Sequence, residues 1–432
     1  MQRALLFVLV GAIGVGGCGG RRTDGSASGS RDVAGLEGTA CSVLESGYYY
    51  IGVILPTSGV WKPWGLPSVE AIRFARAAIN ADGGIAGKRL GLVVCDSGAD
   101  ADAARAQVDA VAGLSPVSLM LGPLATIQAE AMIEPAAAAK VALVSGCATG
   151  AALTGGNLAT EAAETRFFYR TAPSEALVGM AAARLAMAAG QTNLAVVLSS
   201  GDVALDAVAT AFAATLGVSP TRVSDLAALP LEVDGALILL DAAAVVAQLP
   251  GADNRGTWYL APWAQSAGVA AAGAASGGDW LRGLRLQPVG DEVLSPFAAD
   301  LLDFIGDTTL DAPLRELQCA VQHHDATYLA AAAMTLAADP ASGASVAAAL
   351  GRTASGSRFE PSDWVSLQAD VAAARKAGEL SPAIDYVGLS GEVDFDARGD
   401  VRRNIEIWGV ADGTFVLQGC VDPLGAAGCA DL

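Results

Sequence analysis

From Tyr50 the chain settles into a regular rhythm. Ile51 to Leu55 is an unbroken apolar run with β-branched residues, the pattern of a parallel strand buried on both faces, and Pro56 ends it. Ile72, Ala75 and Ile79 then recur at helical spacing, with Ser68 as the expected N-cap and Gly83-Gly84 as the left-handed C-terminal stop. Leu90 to Val94 is a second buried run, and Cys95-Asp96 opens the loop beyond it. Strand, amphipathic helix, glycine stop and strand make one βαβ unit, so the pattern predicts an α/β protein with a parallel sheet.

The N-terminal apolar segment obeys a different rule. MQRALLFVLVGAIGVGGC has one early Arg, an apolar core of signal-peptide length and small residues before Cys18, and it is too short to span a bilayer. The order Val15-Gly16-Gly17-Cys18 resembles a bacterial lipobox, which implies removal of residues 1–17 and acylation of Cys18. Several acyl chains on one residue make a stable anchor where a single chain binds only marginally. Residues 18–47 then serve as the tether, since the Gly-, Ser-, Arg- and Asp-rich stretch after Cys18 has no apolar periodicity. Gly14, Gly16 and Gly19 match G-x-G-x-x-G, but they lie in and beside the cleaved segment rather than after a strand, so no nucleotide site is assigned there.

The segment Ile51–Gly59, the helix end Ile79–Leu90 and the acid at Asp96 resemble, in order, the start of the leucine/isoleucine/valine-binding proteins, the type I periplasmic substrate-binding proteins of ABC transporters. The likeness continues through LMLGPLATIQAEAMIEPAAAAKVALVSGCATGAALT (119–154), FFYRTAPSEALVGMAAARLA (167–186) and GLSGEVDFDARGDVRRNIEIWGVADGTFV (388–416), and is weakest between 198 and 313. It implies two Rossmann-like lobes with parallel-sheet cores joined by a hinge. The first lobe is expected at 48–170 plus 290–385, and the second at 171–289 plus 386–432.

Composition narrows the function without naming it. A net charge of −19 argues against nucleic acid or an anionic membrane surface as partner. Of seven cysteines, lipidation of Cys18 leaves six, a number suited to disulfides in an exported chain. Cys420 and Cys429 are the favoured local pair, with a buried thiol at Cys95 or Cys147 as the alternative. Enzyme signatures are poor. The two histidines, His323 and His324, are adjacent on an expected helix and read as structural. Asp394 to Asp400 hints at a calcium loop, but Arg398 and Ile405 stand where oxygen ligands are needed, so a hairpin turn is expected and no metal or cofactor is assigned.

In an open parallel sheet, ligands sit beyond the carboxyl ends of the strands. The resemblance places Trp64 in the first such loop, Thr126 at a hydroxyl that holds a ligand carboxylate, Cys147 at a ligand-facing carbonyl and Thr149 at a second hydroxyl. In the second lobe it finds Val203-Ala204 in place of an aromatic-glycine pair, and Pro262 and Trp263 in place of the acid that pairs an ammonium group. A buried ammonium needs such a partner. Trp61, Trp64 and Trp263 therefore turn the expectation toward an aromatic or apolar ligand. The resemblance implies a lipid-anchored periplasmic or cell-surface protein that captures a small molecule and delivers it to a permease and ATPase encoded as separate chains. A regulatory scaffold lipoprotein and a sensor subunit are the other classes this architecture serves.

Overall fold

The computed structural model describes residues 37–38, 47–114, 117–156, 166–199, 201–249, 256–306, 317–379 and 382–425. The signal segment, Cys18, Cys41 and Cys429 lie outside the described residues. No helix among those described is long and apolar enough to cross a membrane.

The first body is built on β1 (Glu37–Gly38), β2 (Tyr48–Leu55), β3 (Arg89–Asp96), β4 (Val117–Leu121), β5 (Ala142–Ser145) and β6 (Phe168–Arg170), with helices α1 (Lys62–Ala81), α2 (Ala101–Ala112), α3 (Thr126–Ala138) and the short α4 (Ala152–Gly156) between them. These strands pair in the order β1-β3-β2-β4-β5-β6, and every pairing is parallel. Alternation along β2 sends Ile51, Val53 and Leu55 to one core and Tyr50 and Ile54 to the other, so both faces are covered. The order reverses direction between β2 and β4, which makes their carboxyl ends a topological switch point.

The chain then enters a second body through α5 (Ala176–Ala188). It runs on through β7 (Leu194–Val197), α6 (Val203–Leu216), β8 (Thr221–Val223), β9 (Gly235–Ile238), α7 (Ala242–Gln248), β10 (Thr257–Leu260), α8 (Ala267–Ala275) and β11 (Leu281–Leu286). It returns to the first body for α9 (Asp291–Ile305), α10 (Gln318–Leu336), α11 (Gly343–Leu350), β12 (Ser357–Phe359), α12 (Trp364–Lys376), β13 (Ile384–Gly388) and β14 (Gly391–Glu392). Ile384, Tyr386, Val393 and Val401 join the first core. The chain finishes in the second sheet with β15 (Ile405–Ala411) and β16 (Thr414–Val421). That sheet runs β16-β15-β11-β10-β9-β7-β8, parallel from β8 to β11 and antiparallel at β15 and β16.

Three local expectations are corrected. Ser68 does not cap the first helix. The helix starts at Lys62, with Pro63 in its first turn where an N–H is dispensable, and Ser68 lies buried inside it, donating to the Trp64 carbonyl (2.8 Å). Trp64 consequently sits in a helical turn rather than in a loop. Cys147 is not a thiol, because it is bonded to Cys319, whereas Cys95 is buried. Cys420 is also disulfide-bonded, and its expected partner Cys429 lies outside the described residues. The Gly83-Gly84 stop is as expected: both have positive φ, and the Gly84 N–H bonds the Ile79 carbonyl. Phe395 and Val401 bridge antiparallel around a turn organised by Asp396 Oδ1, which accepts the N–H groups of Arg398 and Asp400.

Candidate functional site

Beside the switch point of the first sheet, the loops after β4 and β5 are knotted together by short polar side chains. Ser145, the last residue of β5, donates to the Pro123 carbonyl (2.7 Å) and accepts the N–H groups of Ala148 (2.9 Å) and Cys147 (3.2 Å). Thr126 opens α3, and its hydroxyl oxygen accepts the Gly150 N–H (3.0 Å). Gly150 is required there, since a Cβ would lie 2.3 Å from Thr126 Cγ2. The Thr126 proton remains available to a ligand. Among the described residues nothing takes the N–H groups of Thr126 and Ile127, so α3 offers two amides and its dipole to an anionic group.

The β5 loop is held from behind by Cys319, His323 and Arg170. Cys147 is bonded to Cys319 at the start of α10. One turn later His323, fully buried, donates Nδ1–H to the Cys319 carbonyl (2.7 Å) and accepts the Gly146 N–H at Nε2 (3.2 Å). Burial pushes this imidazole down to about 4, so it is the neutral tautomer that performs both tasks. Arg170 Nη1 takes the carbonyls of Ala148 (3.1 Å) and Gly150 (2.9 Å). Asp400 neutralises Arg170 through Nε (2.5 Å) and Nη2 (3.1 Å), and Thr154 accepts the remaining Nη2 proton (2.6 Å).

Thr149 is paired with a residue that sequence reasoning missed. Its carbonyl accepts the Glu175 N–H (2.8 Å), and its hydroxyl donates to Glu175 Oε1 (2.9 Å). Glu175 stands at the N-cap of α5 yet does not cap it; Ser174 Oγ takes the Ala176 N–H instead. Burial raises the Glu175 carboxyl above its ordinary range, outweighing the Thr149 bond and the field of Arg170. The available signal was the acid two residues after Pro173 in the crossing segment.

Thr126, Cys147 and Thr149 thus come together. Trp64 and Trp61 are half-buried against the first core. Trp263 follows β10 in a short turn, packs on the second core and donates to the Leu239 carbonyl (3.3 Å), so it belongs to the facing strand ends of the second sheet. Val60, Ile127 and Val203, each more than half exposed, open the loop or helix that follows β2, β4 and β7, an apolar rim on both sheets' carboxyl ends. A cavity of about 410 Å³ lies beyond β7 and β8, lined by Leu198, Asp202, Val203 and Arg222 among others. It stands beside the β7/β9 switch point and contains none of the five residues named from sequence. On β13 and β14 and just beyond, Asp385, Glu392 and Asp394 bring carboxylates within 4.8 Å of one another, and burial followed by those two charges pushes Asp394 up to about 6.

Comparisons with known proteins agree with this architecture. The family model described as periplasmic binding protein matches residues 49–384. No curated protein matches the chain. A leucine binding protein from Thermotoga maritima is 17% identical with a TM-score of 0.54, over 87% of this chain and 99% of that one. A substrate-binding protein from Desulfitobacterium hafniense, solved in complex with Leu, is 17% identical with a TM-score of 0.55, over 86% of this chain and 100% of that one. A solute binding protein of an ABC transporter from Rhodopseudomonas palustris, solved with p-hydroxybenzoic acid, is 18% identical with a TM-score of 0.54, over 87% of this chain and 97% of that one.

Proposed function

The chain belongs to the periplasmic binding protein family, and from that membership we propose that it is an extracytoplasmic solute-binding protein, tethered at Cys18, that delivers a small molecule to an ABC permease powered by a separate ATPase. The observation that carries the reading is the meeting of Thr126, Cys147 and Thr149 beside the switch point of the first sheet, where two α3 amides have no partner among the described residues. Leucine and p-hydroxybenzoic acid, held by two of the similar structures, each join a carboxylate to an apolar body. The α3 N-terminus with the Thr126 hydroxyl suits the first, and the rim of Val60, Ile127 and Val203 with Trp263 suits the second. Capture proceeds by closure of the two bodies about the segments that cross between them, with no covalent step.

The test is a thermal-shift screen of the lipid-free mature domain against amino acids, aromatic acids, amides and short peptides, with the acyl mass on the mature N-terminus checking the tether. A solute at about 100 times its Kd adds roughly 2.7 kcal/mol and moves Tm by several degrees. Thr126→Ala is expected to weaken a hit about tenfold through loss of one hydrogen bond to a charged group. No stabilising solute in a broad library would turn the reading toward a ligand-free scaffold.

A further inference from the structure

We propose that the solute carries two anionic groups, one at each end of an apolar body, and that Arg285 in the second body holds the far one. The proposal rests on the solute-binding reading, which seats one anionic group at the N-terminus of α3. It adds a second subsite across the cleft and names the chemical class that both ends accept.

Register puts Arg285 at the carboxyl edge of the second sheet. Leu260, the last residue of β10, pairs with Gly283, so Arg285 lies two residues past the end of that strand, level with the Pro262–Ala264 turn that carries Trp263. The side chain is held from two sides. Its Nε–H donates to Gln265 Oε1 (2.8 Å), and its guanidinium lies 4.4 Å from the centre of the Trp408 ring. Each holder is itself fixed. Gln265 Nε2 donates to the carbonyls of Leu284 (2.9 Å) and Leu260 (3.3 Å), and it needs Gly283 beneath it, where a Cβ would stand 2.5 Å from Gln265 Oε1. The Trp408 indole N–H donates to Glu406 Oε2 (2.8 Å). A guanidinium fastened at Nε and along one face presents its Nη1–Nη2 edge, the geometry that grips a carboxylate by two parallel bonds.

Charge accounting shows what that edge lacks. Neither Nη1 nor Nη2 has a partner among the described residues. Glu406 is the cross-strand neighbour of Arg285, yet it makes no ion pair with it and spends Oε2 on Trp408. Partial burial lowers the Arg285 pKa and the Glu406 charge offsets that only in part, so the cation is partly dehydrated without being neutralised. A guanidinium still keeps its charge at neutral pH. Arg222, beside the cavity beyond β7 and β8, is by contrast closed off by Asp206 (2.5 Å). The first body thus offers amides and a hydroxyl proton at α3, and the second offers a free guanidinium edge level with Trp263. Both polar ends favour anions, and the rim of Val60, Ile127 and Val203 suits the apolar body between them.

The test is calorimetry and thermal shift on the lipid-free domain, with acids matched in body and differing in charge. Straight-chain diacids from succinate to suberate are each set against the monoacid of the same chain length, and terephthalate and isophthalate against benzoate, so that the series brackets the span between the subsites. At least one diacid is expected to bind roughly tenfold or more tightly than its monoacid, the size of one charge-assisted contact. Arg285→Gln should bring that ratio to within about twofold of one. Arg285→Lys keeps the charge but loses the fork and the stacking, and should leave the ratio in between. Gln265→Leu releases Nε while the charge stays, and should lower the ratio several-fold. Circular dichroism of each variant guards against misfolding, and because Arg285 makes no ion pair the free Arg285→Gln protein should melt close to the wild type. A diacid preference undiminished in Arg285→Gln overturns the proposal, as does a series in which no diacid is preferred. A neutral, cationic or zwitterionic solute found instead in the wider screen overturns the dianionic class and leaves solute binding standing, whereas no solute at all overturns both.

Discussion

His323 bridges two backbone groups with one ring, and its protonation would break the bridge. The ring needs Nε2 as an acceptor for Gly146, so the folded protein excludes the second proton that the unfolded chain accepts near pH 6.5. For a depressed imidazole the sign is fixed: stability is complete above about pH 6.5 and is lost as pH falls toward about 4, by roughly 1.4 kcal/mol per pH unit once the unfolded histidine is charged. Melting curves from pH 7 to pH 4 should therefore fall more steeply for the wild type than for His323→Asn, whose amide offers a donor and an acceptor without titrating. Parallel curves would show that the ring does not govern acid stability. Such roles are only half legible in a sequence. Adjacent histidines on a helix read as structural, but their partners belong to the β5 loop far away in the chain. Glu175 was illegible for the same reason, since an acid at a helix start reads as a cap until Ser174 is seen to take the amide.

The covalent link between Cys147 and Cys319 ties the candidate ligand loop to α10 across a sequence separation of 172 residues, much of it the second body. Sequence spacing favoured a local pair at Cys420 and Cys429, because proximity along the chain is all that spacing can report. The chain leaves the first sheet after β6 and returns only at α9, and no periodicity encodes which loop α10 then meets. By contrast, β2, α1 and β3 were legible from apolar period and glycine stop alone, and the error at Ser68 arose because the helix already starts at Lys62, ahead of the apolar positions Ile72, Ala75 and Ile79 that revealed it. Closure of so long a loop in the unfolded chain makes this disulfide worth about 5 kcal/mol on chain entropy alone, above the usual 2–4. Replacing both cysteines by serine should lower the urea midpoint accordingly and weaken any solute that depends on Thr126. A variant with an unchanged midpoint would mean that Ser145, His323 and Arg170 already hold the loop.

At the scale of the whole molecule, two sheets with different edges are joined by three crossings near Thr171, Val289 and Arg403. The crossings are stitched to one another and to α10. Gln287 N–H bonds the Asn404 carbonyl, Thr171 Oγ1 donates to the Gln322 carbonyl, and Val289 N–H bonds Gln318 Oε1. α10, buried along nearly its whole length by small residues, is the rigid member against which the crossings bend. Closure about them would bring Val203 and Trp263 toward Val60 and Ile127, removing apolar rim from water at the moment a solute is enclosed, which is where the driving force for closure comes from. The solute's differential affinity for the closed form is then the only lever on the equilibrium. A bound solute should accordingly shrink the radius of gyration measured by X-ray scattering. Val203→Asp should leave the free protein's radius and its melting temperature nearly unchanged, because that side chain is exposed, while reducing the contraction and weakening the solute several-fold. An equal contraction in the variant would place the rim outside the closing surface and leave the solute's polar ends as the sole source of the change.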